Sequence, residues 1–186
     1  MQSIDVLTVN AELENAADFV KVVEDAKEYF PKENWQEVRY FGKVSLGYDF
    51  RISSGDQTFG ALLFEKLVRE FEKIKDSEGL MSLLLGITPD PVVASHYFFD
   101  GKSFRRAAYI VHDFVGERVG VVSFFKVTKE SASKVVAHGL GHNRGLRHHV
   151  KPIDIMYSGL LRIPALQVDG FCRACMYKLK AAAKEA

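Results

Sequence analysis

His138, His142 and His148 are the residues of this chain whose type and spacing bear most directly on chemistry. They lie in HGLGHNRGLRHH, residues 138–149, a stretch holding four of the six histidines. On a helix, positions four apart project from one face, one turn apart. Two neutral imidazoles so placed can grip one Zn2+ at about 2.0–2.1 Å each, and a catalytic zinc needs a third protein ligand plus one open position. Gly145 provides for that ligand. A residue that accepts positive φ without a Cβ penalty ends the helix and turns the chain back, which would bring His148 to the same ion. The spacing is H-x-x-x-H-x-x-G-x-x-H.

The two cysteines, Cys172 and Cys175, form a Cys-x-x-Cys pair. Reduced thiols at this spacing suit a metal site or a redox pair better than a structural disulfide. A thioredoxin-like role fits poorly, because the pair lies near the C-terminal end and not early in a βαβ unit. The glycines of KVVAHGLGHNRG imitate a dinucleotide fingerprint, but no second strand or ribose-binding acid follows at the required distance. His96 and His112 fall in strand-like segments and read as structural histidines. Tyr157 reads as a packed tyrosine.

The histidine pattern resembles the metzincin zinc signature, H-E-x-x-H-x-x-G-x-x-H with a Met-turn downstream. Over residues 134–178 the resemblance narrows to the archaemetzincins. Met156, in Asp154-Ile155-Met156-Tyr157-Ser158, stands where the Met-turn residue would be, and Cys172 and Cys175 stand at the closing pair of a second zinc site. The resemblance implies a zinc-dependent peptidase acting on peptides or short polypeptides. It also implies two Zn2+ per chain, one at His138/His142/His148 and one at the second site. Two departures follow. The family's other two second-site cysteines are replaced by His149 and Asp154, both able to ligate zinc, so that His149, Asp154, Cys172 and Cys175 can complete a tetrahedral set. The family's glutamate after the first histidine is Gly139 here. That carboxylate moves the proton in zinc peptidases, and losing a positioned general base costs on the order of 10²–10⁴ in rate. Glu130 lies two helical turns away and does not replace it. The expectation is an inactive or weak peptidase. The alternatives are an active enzyme with an unusual base, or a peptide- or metal-binding module.

Several elements must position these groups. Residues 4–9 read as a strand, and Ala16, Phe19, Val20, Val23 and Phe30 mark a helix stopped by Pro31. A strand over 36–48 follows, with a break at Gly42, then an amphipathic helix over 59–74 carrying Leu62, Leu63, Leu67, Phe71 and Ile74. Residues 81–87 form a buried strand. Val92–Phe99 enters a hairpin at Asp100-Gly101, and strands near 107–112 and 119–127 follow. Thr128 is a plausible N-cap for the helix that carries the histidines. Residues 176–186 read as a solvated tail helix. The fold class is α/β (α+β), metzincin-like: a twisted mixed sheet with helices over a small C-terminal lobe with the Met-turn. One domain spans 1–186, with an N-terminal lobe at 1–144 and a C-terminal lobe at 145–186.

A chain of 186 residues with 47% apolar residues can bury one core. A net charge of +1 argues against nucleic-acid binding driven by phosphate neutralisation, and no apolar run reaches the length of a membrane span. Met1-Gln2-Ser3-Ile4-Asp5 has no leader character. A cytoplasmic monomer is expected, with a peptide or polypeptide as substrate or ligand.

Overall fold

The computed structural model describes residues 2–11, 16–160 and 168–185. The chain begins with β1 (Gln2–Val9), α1 (Ala16–Lys27), β2 (Trp35–Val44), β3 (Phe50–Ser54) and β4 (Gln57–Leu63). The middle holds α2 (Phe64–Ser77), β5 (Leu83–Thr88), β6 (Val92–Phe99) and β7 (Phe104–Val111). Then come β8 (Asp113–Val115), β9 (Val119–Ser123), α3 (Lys129–Asn143) and α4 (Arg173–Glu185).

Two sheets form the frame. The larger has strand order β2-β1-β5-β9-β8; β1 runs parallel to β2 and β5, β5 parallel to β9, and β8 antiparallel to β9 at the edge. The smaller has order β3-β4-β6-β7. Central parallel strands are covered on both faces and read as continuous apolar runs. All six residues of β5 are buried, and they alternate between two cores. Leu83, Leu85 and Ile87 join Ile4 and Val6 beneath α1 and α3, while Leu84 joins Leu67 and Phe71 of α2 on the other side. The first core continues through Ile155, Met156, Cys175 and Leu179, so the residues after α3 pack against the sheet-and-helix layer that carries the histidines.

The helix expected over 59–74 begins at Phe64 instead. Leu62 and Leu63 belong to β4, where they pair with Val92 and Val93 of β6. An apolar pair suits either period, and the sheet won because pairing satisfies the backbone while burying Ala61 and Leu62. The first helix ends at Lys27, short of Phe30, whose ring packs on Trp35 and Phe171. The strand expected through Tyr48 stops at Val44, and the one expected through Val127 stops at Ser123. Strand β3 and edge strand β8 lay outside the sequence reading.

The tail helix is solvated on one face only. It begins at Arg173, buries Cys175 and Leu179, and accepts a hydrogen bond from Asn34 Nδ2 on the Leu179 carbonyl (3.2 Å). Ala186 lies outside the described residues. Among the described residues no helix is long and apolar enough to cross a membrane.

Candidate metal centre

Helix α3 delivers the first two histidines. Thr128 has the extended backbone of an N-cap (φ −74°, ψ 156°), though its hydroxyl makes no capping bond to the backbone. Val135 to Gly141 are all buried. The helix ends in a Schellman motif: Gly145 takes φ +78°, its N–H donates to the His142 carbonyl (2.9 Å), and the Leu146 N–H donates to the Gly141 carbonyl (3.0 Å). This turn does two things for the site. It leads the chain back so that His148 Nε2 lies 2.9 Å from His142 Nε2. It also sets the Leu146 carbonyl 3.0 Å from His142 Nδ1.

His138, His142 and His148 each offer a nitrogen, and these atoms lie within 4.8 Å of one another. Nitrogens on one tetrahedral zinc stand about 3.3 Å apart, from bonds of about 2.0–2.1 Å, so the three rings fit one ion. Their other nitrogens agree. His142 Nδ1 donates to Leu146 and His138 Nδ1 faces Asp113 Oδ2 at 2.6 Å, which leaves both Nε2 lone pairs for a metal. His138 Nε2 is buried and has no hydrogen-bond partner among the described residues, an arrangement that normally calls for a ligand. Burial, reinforced by His138, holds His142 and His148 below the usual histidine range, so they are neutral donors at pH 7. Beneath them Met156 is fully buried, its sulfur so close under Gly141 that a Cβ there would lie 2.7 Å from Sδ.

A cavity of about 240 Å3 opens beside this cluster, lined by His112, Asp113, His138, Tyr157 and Ser158 among others. His112 is largely buried and its Nδ1 lies 3.4 Å from the Ser123 carbonyl, a satisfied histidine that also forms part of the cavity wall. His96 sits away from it in β6, packed against Phe98 and Tyr109.

The second group gathers His149, Asp154, Cys172 and Cys175, again with ligand atoms within 4.8 Å. His149 Nε2 stands 3.2 Å from Cys175 Sγ, 3.7 Å from Cys172 Sγ and 3.3 Å from Asp154 Oδ2. A tetrahedral zinc with mixed sulfur and nitrogen ligands needs separations of about 3.5 Å. Backbone bonds hold the set: Asp154 accepts the N–H of Met156 on Oδ1 (2.9 Å) and of Cys172 on Oδ2 (3.0 Å), and the His149 N–H donates to the Met156 carbonyl (2.7 Å). Both thiols are free. Burial, with the Asp154 carboxylate next in size, pushes the Cys175 thiol up to about 12.

No family model and no curated protein matches the sequence. Solved structures do. An archaemetzincin from Methanopyrus kandleri aligns with a TM-score of 0.64 at 19% identity, over 98% of this chain and 96% of its own. The chain has the archaemetzincin fold. A zinc-dependent peptidase from Methanocorpusculum labreanum (TM-score 0.57, 16% identity) covers 95% of this chain and 99% of its own. An archaemetzincin from Archaeoglobus fulgidus, determined with malonate, gives 0.57 at 17% identity with the same coverage.

On the archaemetzincin fold, Gly139 faces edge strand β8. A Cβ at this position would meet Val115 Cγ2 at 2.8 Å, Asp113 Cβ at 3.3 Å and Asp113 Oδ2 at 3.4 Å. The Val115 and Asp113 side chains crowd the space a side chain would need. Glu130 lies exposed at the far end of α3. Asp113, the acid nearest the histidines, carries no spacing signal relative to them; the sequence hint is a polar His112-Asp113 pair interrupting an apolar strand.

Proposed function

We propose that the protein is a two-zinc member of the archaemetzincin type in which peptide hydrolysis is weak or lost and the cleft binds a peptide or polypeptide. The observation that carries this reading is the convergence of three imidazoles beside His138 Nε2, buried and without a partner. His138, His142 and His148 would hold the first zinc, and His149, Asp154, Cys172 and Cys175 the second. Met156 would serve as the Met-turn residue, packed under Gly141. Zinc, when bound, supplies Lewis acidity. The chain itself supplies three converging imidazoles, two of them with Nδ1 held by an acceptor, an apolar floor at Met156, and a side cavity bearing Tyr157 and Ser158. It supplies no carboxylate from α3 beside the histidines, because Gly139 has no side chain and Glu130 lies at the far end of the helix. Two free cysteines held as thiolate ligands suit a reducing compartment, which accords with a cytoplasmic location.

An active peptidase with an unusual base is the second reading, and Asp113 on the cavity wall favours it. Against it, Asp113 Oδ2 already accepts from His138 Nδ1 at 2.6 Å.

The test joins metal content to hydrolysis. Purified protein is expected to hold two zincs, and His138→Ala and Cys172→Ala one each; a count of zero, or zinc at the second site alone, overturns the reading. Gly139→Glu alone would collide with Val115, so hydrolysis of a mixed peptide library is compared between wild type and Gly139→Glu/Val115→Ala. The double variant is expected to gain on the order of 10²-fold or more. Equal rates would show that the wild type has its own base.

A further inference from the structure

We propose that Asp113 is the positioning residue of the first metal site, and that the absence of a side chain at Gly139 is what admits it. The inference rests on the zinc reading above and concerns a different residue. Asp113 opens β8, paired with Val122 of β9, and its side chain reaches across to α3. Its Oδ2 stands 2.6 Å from His138 Nδ1, with the side chains of Asp113 and His138 only 14% and 10% exposed. That length belongs to a strong, charge-assisted bond.

The chemistry of imidazole gives this contact a purpose. A neutral ring carries one N–H, and whichever nitrogen holds it cannot bind a metal. An acceptor at Nδ1 keeps the proton there and leaves the Nε2 lone pair free. His142 has the same device in the Leu146 carbonyl. For His138, held in the middle of a buried helix, Asp113 is the group that provides it. Carboxylates paired in this way with ligating histidines orient the ring and raise its basicity.

Gly139 is the geometric condition. A Cβ at 139 falls within 3.4 Å of the very oxygen that bonds His138, and within 2.8 Å of Val115 two residues along the same strand. Any side chain there forces the Val115 side chain to shift and crowds Asp113 Cβ. A side chain at 139 therefore presses on Val115 and on the Cβ of Asp113, the residue whose carboxylate holds His138. This chain has a carboxylate that holds a ligand, where the resemblance expects one that moves a proton. Gly139 is then a packing requirement of the Asp113–His138 pair.

The test reads tautomer and affinity, with activity playing no part. In metal-free protein, 15N NMR of the imidazoles should show His138 with its proton on Nδ1, and Asp113→Ala should move it toward Nε2. Zinc affinity at the first site, by competition with a chromophoric chelator, should fall about 10- to 100-fold in Asp113→Ala. Asp113→Asn, whose amide oxygen still accepts, should fall less, and zinc at the second site should stay bound in both. Gly139→Ala pushes on the same carboxylate from the helix side and should reproduce the tautomer change if Asp113→Ala fails to fold. Unchanged tautomer and affinity in these variants would overturn the proposal. Wild type that takes up zinc only at the second site would instead sink the zinc reading, with the tautomer experiment still deciding the role of Asp113.

Discussion

The two ligand clusters are separated by a single peptide bond, His148 to His149, yet they are built on opposite plans. The first takes two candidate ligands from one helix and a third from the turn that ends it, and leaves a side open to a cavity lined by His112, Asp113, Tyr157 and Ser158. The second draws four candidate ligands from three separate places and closes on itself, with Asp154 and Cys175 buried and both Asp154 oxygens bonded to backbone N–H groups. Three ligands with an open face suit exchange and binding, whereas four ligands with no open face suit structure. The comparison teaches where the C-terminal part gets its order. Among the described residues between α3 and α4 there is little regular structure, and the second group brings His149 and Asp154 together with Cys172 and Cys175.

The largest expected effect separates the two plans directly. With free zinc about 1,000-fold above its Kd, a bound ion contributes about 4 kcal/mol. Cys175→Ala should remove that from the tighter, four-ligand site, lowering Tm by about 8–16 °C for a chain of this size. His148→Ala, which leaves two imidazoles at an open site, should lose its ion with less than half that drop. Equal drops in a thermal melt at matched zinc would break the contrast.

A middle-sized effect tests whether the clusters are independent. Met156 reaches both, with its sulfur under Gly141 of α3 and its backbone bonded to His149 and Asp154. Gly141→Ala puts a methyl 2.7 Å from that sulfur and should cost about 1–3 kcal/mol by overpacking. Zinc affinity should weaken at both sites, as read by chelator competition. A loss confined to the first site would show that Met156 does not couple them.

The smallest effect is a pH slope. Burial raises the Cys175 thiol from an ordinary 9.0 to about 12 in the metal-free fold. Between those values the unfolded chain has released this proton and the folded chain keeps it. Metal-free stability should therefore fall as pH rises above about 9. With zinc bound, the thiolate is a ligand and the slope should vanish. Denaturant melts at pH 8 and 10, with and without chelator, check this; a slope that persists with zinc would remove Cys175 from the ligand set.

Local spacing carried most of what was legible. The four-residue step from His138 to His142 and the positive-φ turn at Gly145 are properties of three or four bonded neighbours, and they place the first three ligands with little help from elsewhere. The alternation of Leu83, Leu84 and Leu85 between two cores follows equally from strand period. What failed was local ambiguity settled at a distance. Leu62 and Leu63 fit a helix stripe until β6 offered them partners, and the Ala- and Lys-rich tail looked solvated until Asn34 and the first core received Leu179. Asp113 is the sharpest case. Twenty-five residues separate it from His138, and no pattern in the chain links the two. By itself the sequence determined which atoms could bind metal and that Gly139 brings no carboxylate to them. Only the tertiary structure decided what fills the place of that side chain, because packing an edge strand against a helix is a contact between segments that no local period encodes.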